Sequence, residues 1–581
     1  MYDPCRKAIA VLFAFALSVS PLAEASAASP EPVEAEHGMV VTAQHLASDI
    51  GVEILKNGGN AVDAAVAVGY AMAVVYPEAG NIGGGGFMTI RLKDGKTTFL
   101  DFRERAPLAS TKTMYLDDKG NPVKGLSTDG YLAVGVPGSV LGFETARTRY
   151  GTKSREELMA PAIKLARDGF VLDEGDAASL AENAETLVKD PAAAAIFLKS
   201  DGKPHAVGET LVQADLAASL SSISELGPDA FYKGPIADAI VKASQERKGI
   251  LARQDFEQYK VRELEPVKCS YRGYDIFSSP PPSSGGVIIC EILNILEGYP
   301  ISYLGYGSAD TVHVMIEAMR HAYVDRNTAL GDPDFVENPI GKLLDKGYAQ
   351  KIREEISAFK AGISQELMPK GFGESTETTH YSIIDNDGNA VAVTYTLNGS
   401  FGAGVVAPGT GILLNNEMDD FTAKPGVPNL YGLVQGEANA IAPGKTPLSS
   451  MSPTIVAKDG KPFMVIGSPG GARIITITLE AIINVIDHGM NIQEAIDAPR
   501  IHHQWLPDKI YMEPYALSPD TRRVLAGMGH DIDIDENWTI WGKAAGILVG
   551  GKSLADMGKA DSSRYYGAID SRAASGAARG Y

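Results

Sequence analysis

The sequence predicts an α+β protein in which stacked, mainly antiparallel sheets are covered by helices in one large unit. Three observations carry this expectation. Short apolar or β-branched runs are paired across Asp-Gly turns at three places, each the mark of a hairpin. Paired helical stretches are interleaved with those hairpins, as a layered fold requires. No low-complexity linker, fixed-period repeat or composition break interrupts the 581 residues outside 361–377.

Residues 1–27 stand apart from that unit. Arg6-Lys7 form a basic n-region, Ala8 to Val19 an apolar run, and Ala23-Glu24-Ala25 and Ala25-Ser26-Ala27 small-x-small cleavage sites, the pattern of a secretory signal peptide. The apolar run is too short to span a bilayer, and no later segment reads as a transmembrane helix. The mature protein is therefore expected to be periplasmic or secreted, without a membrane partner.

Gly38 to Ala43 reads as the first strand, followed by helices from Gln44 to Lys56 and Asp63 to Val75 with the capping run Asn57-Gly58-Gly59-Asn60 between them. A glycine run, Gly83 to Gly86, leads into a hairpin, Phe87–Leu92 and Thr97–Phe102, which delivers Arg103. Tyr131 to Tyr150 reads as a strand, a Gly-Val-Pro-Gly turn and a helix, and residues 154–260 as mostly helical. Pro280 to Gly286 is a rigid loop ahead of a helix ending near Gly298. Thr311 to Arg326 is an amphipathic helix with Val312, Ile316, Met319 and Tyr323 on its apolar face. The second hairpin turns at Asp385 to Asn389. Gly411 to Leu414 reads as a strand running into Asn415-Asn416-Glu417-Met418-Asp419-Asp420, and the third hairpin turns at Asp459-Gly460. Ser468-Pro469-Gly470-Gly471 then opens a helix from Ile474 to His488.

The composition is 45% hydrophobic and 21% charged, that of a globular protein. A net charge of -20 argues against nucleic acid as a partner, since such binding needs a basic face. Beyond Cys5 only Cys269 and Cys290 remain, too few for a disulfide scaffold or a zinc cluster. An oxidising compartment permits a bond between them, and the apolar run around Cys290 equally suits a buried free thiol. His502 and His503 are adjacent, point to opposite faces of a strand, and do not read as metal ligands.

The chemistry converges on the second hairpin. A three-residue loop with Gly388 in the left-handed position sets Thr378 opposite Thr396. A threonine hydroxyl is a weak nucleophile at neutral pH and needs a base. If the chain is cut just before Thr378, its own α-amine, with an unperturbed pKa near ~8, becomes that base. The glycine-bearing residues 371–376 read as a soft segment that would suit such a cut. Consecutive N–H groups at Gly470-Gly471, ahead of a helix, offer an oxyanion hole. Ser449 and Ser450 offer hydroxyl donors to a carboxylate, Arg103 a bidentate clamp, and the acidic cluster at Glu417, Asp419 and Asp420 a seat for an ammonium group. Each motif alone also has a bland reading: a strand start, a strand-to-helix turn, a local side-chain turn, a surface ion pair, a solvated loop.

Together the motifs resemble one family. Thr378-Thr379-His380-Tyr381-Ser382, Thr394-Tyr395-Thr396-Leu397-Asn398, Asn415-Asn416 with Met418-Asp419-Asp420-Phe421, Pro447-Leu448-Ser449-Ser450-Met451-Ser452-Pro453 and Gly467-Ser468-Pro469-Gly470-Gly471 stand in the order and spacing of the bacterial γ-glutamyltranspeptidases. So do Asn57 to Ala65, Gly80 to Phe87, Asp101-Phe102-Arg103-Glu104 and Pro281 to Gly286. The resemblance spans His37 to Tyr581.

The resemblance implies an N-terminal nucleophile hydrolase: a four-layer αββα sandwich, made as one precursor and self-cleaved between Glu377 and Thr378. Residues 28–377 would form the large subunit and 378–581 the small catalytic one, together a heterodimer. By position, Thr378 is the nucleophile, oriented by Thr396, with the oxyanion at Gly470 and Gly471. Arg103, Ser449 and Ser450 bind the α-carboxylate of a γ-glutamyl group, Asn398, Glu417 and Asp420 its α-amine, and Tyr431 is the lid. The implied substrates are glutathione and related γ-glutamyl compounds, the acceptors water, amino acids or dipeptides. No metal or organic cofactor is needed. Two departures stand out: Glu417, where many bacterial members have Gln, and a divergent C-terminal region, with Asp570-Ser571-Arg572 for Asp-Pro-Arg and an unfamiliar 537–561. Two rivals remain: a glutaryl or cephalosporin acylase of the same superfamily, whose acyl group lacks the amine that Glu417 and Asp420 would hold, and an inactive secreted binding protein.

Overall fold

The structure is a computed structural model that describes residues 29–364, 378–536, 539–557 and 564–581. The expected signal peptide and Glu377 lie outside the described residues. Two seven-stranded sheets form the centre. In one, the strand Thr379–Ile384 pairs with Ala390–Thr396 and with Met39–Thr42, and the sheet extends through Gly85–Arg91 and Thr97–Asp101. In the other, Lys461–Gly467 lies between Thr454–Lys458 and Ala545–Val549. Every pairing in these two sheets is antiparallel.

Alternation along the central strands builds the layers. Ile384, Ala390 and Ala392 face the other sheet and meet Ile455, Val465 and Ile547 there. Tyr381, Ile383, Val391, Val393 and Tyr395 face outward and are covered by the helices His45–Lys56 and Ala61–Val75. The latter is buried along its whole length, which its Ala/Val composition permits. Beyond the second sheet, Gly285–Leu296, Ala309–Ala329 and Ile474–Ile486 form the opposite helical layer. The order is helix, sheet, sheet, helix, the predicted sandwich. Cys269 and Cys290 are joined in a disulfide that ties an edge strand to its covering helix.

Three local expectations change. Tyr131–Ala133 is a 3-10 turn following left-handed Gly130, and only Val136 makes a bridge, to Arg105. Gly411 to Leu414 makes a single bridge, Leu413 to Val406, and no strand. Both are apolar runs that pack against core without finding a sheet edge. The helix Ala309–Ala329 is longer than read and buried on its polar side too, where His313, Glu317 and Arg320 are all enclosed. The divergent C-terminal region still supplies a strand to each sheet, Tyr565–Ile569 and Ala577–Gly580.

Candidate active site

The hairpin register sets the site. Pairs run from Ile384↔Ala390 to Thr379↔Tyr395, and one step further Thr378 faces Thr396, as the Asp-Gly turn predicts. Gly388 is left-handed, with φ 85°. The two hydroxyls lie 3.3 Å apart, and both residues are buried. Thr396 is held from two sides. Its hydroxyl accepts from the N–H of Asn398 at 2.7 Å, and its carbonyl accepts from Asn81 Nδ2 at 2.8 Å. Gly84 lies against that same carbonyl, where any side chain would overlap it, so the glycine run serves close approach to the Thr396 strand. Asn398 itself adopts φ 77°, a conformation that Asn tolerates better than most residues.

His380, two residues on, is not a base for this hydroxyl. Its ring is buried between Thr394 Oγ1 (2.8 Å) and Ser382 Oγ (3.1 Å), and burial pushes its pKa down to about 3.

The acidic turn is stitched in place by the two asparagines before it. Asn415 donates to the carbonyls of Gly83 and Gly135, and its Oδ1 accepts from the N–H of Glu417. Asn416 Oδ1 accepts from Gly399 N–H at 2.8 Å, and its carbonyl accepts from Asn398 Nδ2 at 3.0 Å. These bonds fix Glu417–Asp420, a 3-10 turn, beside the end of the Thr396 strand. Arg103 reaches the same point from the first hairpin: Nη1 pairs with Glu417 and Nη2 with Asp420, all three buried. Glu104 lies 3.9 Å from the guanidinium. Burial raises Glu417 well above its ordinary value, and lifts Glu104 to about 7, against the pull of Arg103. Three carboxyl groups share one guanidinium, so burial favours their protonated forms, and an incoming ammonium would draw them towards the ionised ones.

Asp419 serves the loop above. It accepts from Ser127 Oγ at 2.6 Å and from Leu430 N–H at 2.8 Å. Tyr431 then lies across the site, its hydroxyl donating to the carbonyl of Asn398 at 2.6 Å. Its ring rests on Gly471, where a methyl group would overlap it. Gly470 and Gly471 have φ 136° and 54°, which favour glycine at both positions and turn the chain into the helix Ile474–Ile486. Trp541, in the divergent stretch, packs its carbonyl against Gly470 and its ring under Arg473.

Ser449 and Ser450 close the opposite wall. The Ser449 backbone bridges to Ser283 and accepts from Ser284 N–H at 2.9 Å, which explains the rigid Pro280–Gly286 loop. Ser450 Oγ accepts from Arg326 Nη2 at 2.8 Å. All eleven sequence-predicted site residues except Gly470 line or touch one cleft, and Gly470 adjoins it through Gly471. Arg326 also lines it and was missed. It closes a predicted amphipathic helix, where a basic residue reads as a cap on the last turn. The signal was its place one turn after Tyr323, on the apolar face. It is fully buried with Ser284, Asn327 and Ser450 as partners, and burial lowers its pKa to about 10.

The comparisons with known proteins agree with this geometry. The chain is 60% identical over 574 residues to a glutathione hydrolase proenzyme of Pseudomonas sp. (strain A14), covering 98% of each chain. It is 51% identical to the glutathione hydrolase proenzyme of Escherichia coli (strain K12), covering 95% of this chain and 93% of that one. Among solved structures it resembles a cephalosporin acylase from Bacillus halodurans, with TM-score 0.81 at 28% identity over 97% of this chain and 99% of the other. The family profile described as Gamma-glutamyltranspeptidase matches residues 47–580, and the chain belongs to that family.

Proposed function

We propose that the protein is a self-processing γ-glutamyltransferase and glutathione hydrolase whose nucleophile is Thr378. The observation that carries the reading is the cleft itself. Beside the paired hydroxyls of Thr378 and Thr396 lie the buried carboxyl groups of Glu417 and Asp420, bridged by Arg103, and, on the Ser449–Ser450 wall, Arg326 with the two serines. An α-amino acid head group presents a cation and an anion from one carbon, and this wall matches both.

Processing comes first. Thr378 Oγ attacks the carbonyl of Glu377, the peptide becomes an ester, and water hydrolyses it, freeing the Thr378 amine. Residues 28–377 and 378–581 then stay together as large and small subunits. They share both sheets: Met39–Thr42 pairs with Thr379–Ile384, and Tyr274–Ser278 with Thr454–Lys458. In turnover the amine takes the Thr378 hydroxyl proton as Oγ attacks the γ-carbonyl. Thr396 holds Oγ in place, and the N–H groups of Gly470 and Gly471 receive the oxyanion. The amine returns the proton to the leaving nitrogen, which for glutathione belongs to Cys-Gly. The γ-glutamyl ester is then taken by water, an amino acid or a dipeptide. Asn398, Glu417 and Asp420 hold the α-amine, Arg103, Ser449 and Ser450 the α-carboxylate, and Tyr431 covers the site. Relatives described as proenzymes support the processing step. Cleavage of residues 1–27 on export would place the enzyme in the periplasm or outside the cell. Among the described residues, no helix is long and apolar enough to cross a membrane.

The rival is an acylase for glutaryl or cephalosporin side chains, which the Bacillus halodurans likeness keeps in view. The buried Glu417 and Asp420 favour the γ-glutamyl group, because a glutaryl chain brings no ammonium to meet them. Hydrolysis of γ-glutamyl and glutaryl anilides decides between the two: the γ-glutamyl anilide is expected to react faster by orders of magnitude, and a preference for glutaryl would overturn the reading.

A further inference from the structure

A second cluster lies away from the cleft, on the polar side of the helix Ala309–Ala329. His313 and Glu317, one turn apart, share a face of that helix. They meet His530, which follows the helix Pro519–Met528 after left-handed Gly529. All three are buried, at 1%, 2% and 6% exposure. One donor atom from each lies within 4.8 Å of the other two.

The protonation pattern is fixed by one bond. His313 Nε2 lies 2.6 Å from the carbonyl of Ser357, which only accepts, so Nε2 carries the proton. The lone pair of His313 is therefore on Nδ1, facing His530 Nε2 at 2.8 Å. Among the described residues, His530 Nδ1 is buried without a hydrogen-bond partner, so one bond to His313 does not satisfy that ring. Among the described residues, Glu317 forms one ion pair, with Arg320 Nη2 at 3.4 Å. The other arm of Arg320 is taken by Ser364 Oγ and Asp508. The charge of Arg320 is thus shared between two carboxylates, Glu317 and Asp508. A cavity of about 200 Å³, lined by His530, Arg320, Gly362, His503 and Asp508, adjoins the cluster.

We propose that His313, Glu317 and His530 bind one divalent cation of the zinc class. Two imidazole nitrogens and a carboxylate are donors that zinc takes readily, with a fourth position left for water from the cavity. The Ser357 carbonyl is the outer partner that a ligating histidine needs to fix its tautomer. Zinc–nitrogen bonds of about 2.0–2.1 Å in a tetrahedron set the two nitrogens about 3.3 Å apart, so the imidazoles part by about half an ångström, and the proton that His530 Nε2 donates to His313 moves to the unpartnered His530 Nδ1 as the ion takes Nε2. The ion has no part in the chemistry at Thr378. It fastens residues 357–364, already held by Ala361 N–H to Met528 O and Ser364 N–H to Asp508, against the helix that carries Arg326. On the reading that the chain is cut after Glu377, it would join the two subunits, but its binding does not require the cut.

The test uses the purified full-length protein, stripped with EDTA, loaded with zinc chloride and desalted, with zinc per chain measured by mass spectrometry. The wild type is expected to keep about one equivalent and to unfold at a higher temperature with zinc than with EDTA. His530→Gln and Glu317→Gln are each expected to lose the retained zinc and the thermal shift, while unfolding in EDTA at the wild-type temperature. Cobalt loading gives an independent readout, a visible absorption band in the wild type that both variants lack. A wild type that holds no more zinc than His530→Gln, or variants that keep the thermal shift, would overturn the proposal.

Discussion

The hydroxyl of Tyr431 donates to the carbonyl of Asn398 at 2.6 Å, so the loop above the cleft is latched to the turn that follows the Thr396 strand. Tyr431→Phe keeps the ring on Gly471 and removes only the latch. One hydrogen bond is worth about 1 kcal/mol net, so KM for a γ-glutamyl anilide is expected to rise roughly fivefold with kcat little changed. An unchanged KM would mean that the loop is held by its other contacts.

On the proposed reading, Thr396 acts through Thr378 rather than on the substrate. Thr396→Val removes the partner of the Thr378 hydroxyl and strands the Asn398 N–H. Processing rate and kcat are expected to fall by about 10²-fold, the scale of a lost proton-handling contact, with KM moving far less. Thr396→Ser should restore most of both. If serine fails as badly as valine, the hydroxyl is not what matters there.

The Thr378–Thr396 pairing was legible because register in a hairpin follows from the turn, and Gly388 fixes that turn. The layers were legible for a similar reason: the alternation in Ala390–Thr396 puts alanines between the sheets and bulky residues under the helices. What the sequence could not carry was whether an apolar run finds an edge. Tyr131–Ala133 and Gly411 to Leu414 have strand-like composition, yet each packs beside a sheet without joining it. Charge inside the fold was equally hidden. Glu317 sits where a surface helix would show its polar face, and Arg326 ends the apolar stripe against Ser450, yet both are buried. The Cys269–Cys290 bond likewise depends on a helix lying over an edge strand, which no spacing rule states.

Arg326 is expected to be a positioning residue for the carboxylate end of the substrate. Its guanidinium holds Ser450 and Ser284 and has no carboxylate partner within hydrogen-bond reach among the described residues. Arg326→Met should raise KM about tenfold or more for a γ-glutamyl anilide, the loss of a charge-assisted contact. A γ-aminobutyryl anilide, which lacks the α-carboxylate, should be affected much less. Equal losses on both substrates would assign Arg326 to packing alone.

Glu480 gives a pH signature of the fold. It is buried, one oxygen accepts from Ile501 N–H at 3.1 Å, and burial raises its pKa from 4.5 to about 8. The native state therefore keeps a proton that the unfolded chain has lost, and stability falls as pH rises from the unfolded pKa through the folded one. The slope from this one group approaches about 1.4 kcal/mol per pH unit inside that window. Glu480→Gln should flatten the fall in Tm between about pH 5 and pH 8. A variant whose Tm falls as steeply as the wild type would show that Glu480 is ionised in the native protein.

The central claim is that Thr378 becomes a chain end. Intact-mass and N-terminal analysis of the purified protein measures it directly. Two chains are expected from one precursor, the smaller beginning at Thr378, with Thr378→Ala remaining whole and inactive. A wild-type protein that stays a single chain through Glu377-Thr378, yet turns over γ-glutamyl substrates, would contradict it.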